Sequence, residues 1–118
     1  LDARAVDIAQ PDVCAAGGFT ACRHIAALAL AHGVQVNPHV WGSSVGQAAS
    51  LHLICALPLA NPSLHADEPV FEYDCSAHPF REHLVDRPLR QRDGWLERPD
   101  LPGLGIEVDR GALERYRA

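Results

Sequence analysis

The feature that most limits what this chain can fold into is its punctuation, because two segments of helix length alternate with three short apolar runs and prolines or glycines close most of them. Val6 to Val13 reads VDIAQPDV, a stretch of strand length in which Pro11 has no amide proton to give a ladder and so ends the strand at Asp12. Ala15 to Thr20 (AAGGFT) supplies a tight loop, with Thr20 as the expected N-cap of a helix from Ala21 to about His32. That helix is expected to set Ile25, Leu28 and Ala29 on one face and to stop at Gly33, where a left-handed residue is wanted. Val34 to Asn37 forms a second short strand closed by Pro38. Ser43 or Ser44 then caps a second helix running to about Leu57, ahead of Pro58. The proline-rich stretch from Pro58 to Pro69 suits an irregular connection, and Val70 to Tyr73 reads as a third strand.

Strand, helix, strand, helix, strand in this order is the pattern of βαβ units and a parallel sheet, so the predicted fold class is α/β. Three parallel strands with two helices leave open edges and bare apolar faces, which such sheets do not normally tolerate. The expected cover is more of the same polypeptide or another copy of it. After Asp74 the pattern changes. Pro79, Pro88, Pro99 and Pro102 break up short polar segments, and Gly94, Gly103 and Gly105 mark turns. Within this tail Ile106 to Val108 alternates like a short strand, and Asp109 or Arg110 begins a terminal helix containing Leu113 and Tyr116.

Composition removes several function classes. All 10 basic residues are arginine, and the formal net charge is −5, with no basic run of the kind that replaces counterions on nucleic acid. No apolar stretch approaches the roughly 20 residues that span a bilayer, and the start of the chain lacks a signal-peptide layout, so no membrane partner and a cytoplasmic location are expected. Cys14, Cys22, Cys55 and Cys75 form no CxxC pair and are read as free, buried thiols; Cys75, although close to Glu72, is taken as structural. The histidines show no HExxH-type spacing, so no zinc site is expected. The chain contains no methionine, and a fragment or processed piece is expected on that ground.

In parallel α/β folds the reacting groups gather at the carboxyl ends of strands. Those ends carry Asp12, His39 and Glu72. Each has a plain structural explanation by itself: Asp12 can cap the turn after Pro11, His39 can sit satisfied in a loop, and Glu72 can face solvent. Three titratable groups at three successive strand ends point instead to chemistry. Trp41, two residues after His39, either lines the pocket or packs on a neighbouring loop. Arg81 and Glu82 in HPFREHL are read as a solvated turn. AAGGFT lacks GxGxxG spacing, which weakens a nucleotide-binding reading.

The run from Ala5 to Leu53, AVDIAQPDVCAAGGFTACRHIAALALAHGVQVNPHVWGSSVGQAASLHL, resembles the part of the mandelate racemase/muconate lactonizing enzyme family, within the enolase superfamily, that spans the sixth and seventh strands of its modified TIM barrel. PVFEYD resembles the eighth-strand segment, and DLPGLGIEVDRGALERY the family's C-terminal PGLG segment, so the resemblance covers nearly the whole chain. It implies two parts: residues 1–75 as barrel strands six to eight, and residues 76–118 as a segment returning to the capping domain. It also implies that His39 is the general acid/base, that Asp12 orients it, and that Glu72 lies close to the substrate carboxylate; Trp41 is a further substrate-side candidate from its position after His39, not from the resemblance.

The activity so implied is Mg²⁺-dependent proton abstraction α to a carboxylate. The PHVWGSSVG and FEYDCSAHPFRE segments look most like acid-sugar dehydratases or sugar-lactone cycloisomerases, which makes the expected partner a small-molecule carboxylate, an acid sugar or its lactone. The family's second base is a lysine on strand two and its Mg²⁺ ligands are carboxylates on strands three to five; neither set is in this chain, and the isolated chain is therefore expected to be inactive. The alternative is a catalytically inactive truncated barrel that oligomerises through its open sheet edges.

Overall fold

The computed structural model describes residues 1–58 and 68–117. Its first half is a βαβ unit followed by a second helix: β1 (Ile8–Ala9), α1 (Gly18–Ala31), β2 (Gln35–Val36) and α2 (Ser44–Cys55). β1 and β2 pair in parallel, with Ile8 opposite Gln35 and Ala9 opposite Val36. The strands are shorter than the apolar runs suggest, but the ladder is extended by Gln35 N–H donating to Asp7 O at 3.3 Å and Asn37 N–H to Ala9 O at 3.1 Å.

α1 begins three residues earlier than the expected start at Ala21, and Thr20 lies inside it rather than capping it. The chain enters the helix through Gly17 at φ +96°, a left-handed conformation that makes no side-chain cap and suits a residue without Cβ. The exit matches expectation: Gly33 stands at φ +70° and Val34 N–H reaches back to Ala29 O at 2.9 Å. The buried stripe, however, is Cys22, Ala26 and Ala29, and Leu28 is exposed. Small side chains on that stripe let α1 approach the rest of the fold closely.

α2 is capped by Ser43, whose hydroxyl accepts from Gly46 N–H at 3.3 Å. It is the best-covered element, buried from Gly46 through Leu51 and again at Leu53 and Ile54. Two apolar clusters hold this half together. Val13, Cys22, Ala49 and Leu53 pack α1 on α2, and Ala26, Ala29, Val34 and Val36 pack α1 on β2. Of the four cysteines only Cys22 is buried; Cys14, Cys55 and Cys75 are exposed, against the expectation for all three.

The second half has little regular structure. Val70–Tyr73, expected as a third strand, makes no ladder among the described residues. Two short helices, α3 (Pro79–Glu82) and α4 (Arg110–Arg115), follow it, with Asp109 capping α4 through bonds from Gly111 and Ala112 N–H at 2.8 and 3.2 Å. The expected strand at Ile106–Val108 is reduced to one antiparallel bridge between Val108 and Val85. The expected irregular connection from Pro58 to Pro69 falls largely outside the described residues. No helix among the described residues is long and apolar enough to cross a membrane.

Candidate active site

Parallel register builds the centre of the site. Ala9 lies opposite Val36, and each strand is followed, three residues on, by a titratable side chain: Asp12 after Ala9 and His39 after Val36. Equal offsets from paired residues bring the two together. Pro38, fully buried, fixes the backbone before His39. Asp12 opens a turn, its carbonyl accepting from Ala15 and Ala16 N–H at 3.1 and 2.7 Å.

The Asp12 carboxylate is bonded at both oxygens. Oδ1 accepts from Cys14 N–H at 2.7 Å, and Oδ2 lies 2.7 Å from His39 Nδ1. An ionised carboxylate only accepts hydrogen bonds, so Nδ1 carries the proton and the lone pair is on Nε2. His39 remains 48% exposed at its side chain, whereas Asp12 is 18% exposed. The acid is thus the more sheltered partner of the pair, and the imidazole the more open one.

Glu72 comes from the other half of the molecule to the Nε2 side. Its Oε2 lies 4.0 Å from His39 Nε2 and accepts from Val40 N–H at 3.1 Å. Three of the four predicted residues therefore meet. Trp41 points its contacts elsewhere: its ring packs edge-on against His78 with centroids 5.6 Å apart, at the start of a row that continues through Phe80 to Tyr116. It is nonetheless 63% exposed, with indole surface free beside the site.

Desolvation first, partial at the exposed Cys14 and fuller at the buried Cys22, and the charge of Asp12 second push both thiols above the ordinary value, which disfavours the thiolate. Among the described residues no three His, Cys, Asp or Glu side chains converge as a cation would require. These donors do not fit a Mg²⁺ site by themselves.

Sequence reasoning missed Arg81. Expected in a solvated turn, it is 3% exposed, the one buried charged side chain among the described residues, and its guanidinium binds Asp74 Oδ2 at 2.5 Å and the Ser76 carbonyl. A signal was present. An arginine in the segment Pro79-Phe80-Arg81, seven residues after an aspartate, has the reach to fold back on it.

Residues 1–112 match the family of enolase C-terminal domain-like proteins, and the chain belongs to that family. It is 44% identical over 117 residues to a D-galactarolactone cycloisomerase from Agrobacterium fabrum, covering 99% of this chain and 31% of that protein. It is 34% identical over 113 residues to a D-gluconate dehydratase from Thermoproteus tenax, covering 96% of this chain and 21% of the relative. Among solved structures it superposes on the 3,6-anhydro-D-galactonate cycloisomerase from Zobellia galactanivorans with a TM-score of 0.83 and 39% identity, over 98% of this chain and 30% of that one. The chain thus spans about a third or less of the length of these relatives. Their fold is shared here in the segment that carries the dyad.

Proposed function

We propose that this chain is the acid/base part of an enzyme that removes the proton α to the carboxylate of an acid sugar or its lactone, as a dehydratase or a lactone cycloisomerase. The observation that carries the reading is the oriented imidazole: Asp12 lies on Nδ1 at 2.7 Å and Glu72 4.0 Å from Nε2, in a side chain 48% exposed. In the reaction, His39 Nε2 takes or returns the proton, and Asp12 fixes the tautomer and stabilises the imidazolium that forms. Glu72 stands where a substrate carboxylate would share a proton with it, and the exposed indole of Trp41 offers a surface for the apolar side of a sugar ring.

The kind of enzyme among its relatives supports the substrate class, since one is a D-galactarolactone cycloisomerase and another a D-gluconate dehydratase. In this reading a Mg²⁺ ion would be held by residues other than those described here and would supply charge stabilisation to the deprotonated substrate. Residues 1–75 then form barrel strands six to eight and 76–118 the return to the capping domain, in a cytoplasmic enzyme whose remaining barrel completes the open sheet. The inactive, oligomerising alternative draws on the exposed Val6 and Ile8 at the β1 edge.

One experiment separates them. The full-length enzyme, supplied with Mg²⁺ and a panel of sugar acids and lactones in D₂O, is followed by NMR for exchange of the α-proton, beside its His39→Asn variant. Exchange that is lost in the variant supports the proposal. Exchange that is indifferent to His39→Asn, or no turnover of any panel member, sinks it.

A further inference from the structure

Glu72 sits on a segment with no strand ladder among the described residues, so side chains must set its position. Val70 N–H donates to Asn37 Oδ1 at 3.0 Å upstream of it, and the Tyr73 hydroxyl donates to Leu89 O at 3.3 Å just after it. The tightest clamp follows at Asp74–Ser76. Asp74 closes its own turn by accepting from Ser76 N–H at 2.7 Å, and Arg81 binds both ends of that turn. We propose that Arg81 is a positioning residue, which through Asp74 and Ser76 sets where the Glu72 carboxylate stands relative to His39.

The guanidinium suits this task because its rigid fork reaches two residues at once: Nη1 donates to Asp74 Oδ2, and Nη2 to the Ser76 carbonyl and, at 3.4 Å, to its hydroxyl. Burial of such a group is tolerated only when its donors are engaged. Arg81 is itself held from behind. Ser44, buried at the first turn of α2, donates to Phe80 O at 3.1 Å and so ties α3 to the helix that follows His39. His39 and Glu72 are therefore referred to one frame, the start of α2: the first through the chain that links them, the second through Phe80, Arg81 and the Asp74 turn. The Ser76 backbone first, then Arg81, holds the Asp74 carboxyl down to about 2, which keeps the clamp ionised across the working pH range of any such enzyme.

The positioning can be tested without turnover, because Glu72 accepts from Val40 N–H. In the full-length protein, Arg81→Ala and the milder Asp74→Asn are each expected to speed exchange of the Val40 amide on the order of 10-fold, with amides in α1 unchanged. Arg81→Lys, which keeps the charge and loses the fork, is expected to fall between. Unchanged Val40 exchange, or acceleration shared by the whole of α1, overturns the proposal.

A second arm rests on the functional reading above. Arg81→Ala is expected to lower kcat/KM by about 10- to 100-fold, but by no more than about 2-fold once Glu72→Gln is present, since the two act through one carboxylate. Losses that multiply in the double variant also overturn it. A wild-type protein without turnover refutes the functional reading, and the exchange result then decides the role of Arg81.

Discussion

The two halves of this molecule hold their functional residues by different means. In residues 1–58 the backbone does the placing: a parallel ladder sets Ala9 against Val36, two apolar clusters fix α1 on its neighbours, and Asp12 meets His39 because both leave the sheet at the same level. In residues 68–117 the longest helix has six residues, and polar side chains tie its segments together at several points. Arg81 binds Asp74, Arg90 binds Glu82 at 2.7 Å, and Asp86 accepts from Glu107 N–H at 2.9 Å. The Asp12–His39 pair can thus be held strictly in one half while Glu72, which meets it from the other, depends on a few charges there.

This contrast can be broken by substitution. The largest effect is expected from His39→Ala, which removes the group the first half exists to orient and should lower kcat by about 10²- to 10⁴-fold with little change in thermal stability. Next comes the core that supports it. Leu53→Ala, at a side chain 1% exposed in the first cluster, is expected to cost about 2–5 kcal/mol in chemical denaturation.

Acid should divide the halves. Asp74 titrates at about 2 in the folded chain against an ordinary 3.8, so the stabilisation its bonds confer is complete above the ordinary value and is lost as pH falls through about 2. Glu82 is lowered in the same direction, chiefly by the hydrogen bond from Arg90. Amide spectra recorded from pH 5 downward are therefore expected to show the Tyr73–Leu89 region loosening as these two carboxylates protonate; a region unchanged to pH 1 would contradict the assigned role of the ion pairs. The smallest effects concern the caps. Ser43→Ala is expected to cost about 1 kcal/mol, and Thr20→Ala, at an exposed position inside α1, less than about 0.5 kcal/mol.

How much of this could be read from residues follows the same division. Gly33, Ser43 and Pro58 announce local backbone events, and the helix ends they imply are close to those observed. The 27-residue interval from Asp12 to His39 survives as a contact because it spans one complete βαβ unit. Where local rules compete, reading fails: Thr20 looks like a cap, yet the left-handed Gly17 lets the helix begin earlier. Leu28 looks like core, but the close helix packing selects Cys22, Ala26 and Ala29 instead. The tail was least legible. Val70–Tyr73 has strand composition without a ladder, and the burial of Arg81 depends on Asp74 and Ser76, which no periodicity reveals.

The two-sided bonding of Asp12 has a consequence for the tautomer of His39. An asparagine there has one oxygen and one NH₂ to distribute, and the Cys14 N–H, 2.7 Å away, can only be met by the oxygen. The NH₂ must then point at His39 Nδ1, which becomes an acceptor and moves the ring proton to Nε2. Such an imidazole presents an N–H at Nε2 in place of a lone pair, so it cannot take a proton there, and as a neutral ring it is a poor donor. Asp12→Asn would keep nearly every contact of the site and still silence it, because the change falls on the tautomer and not on the packing.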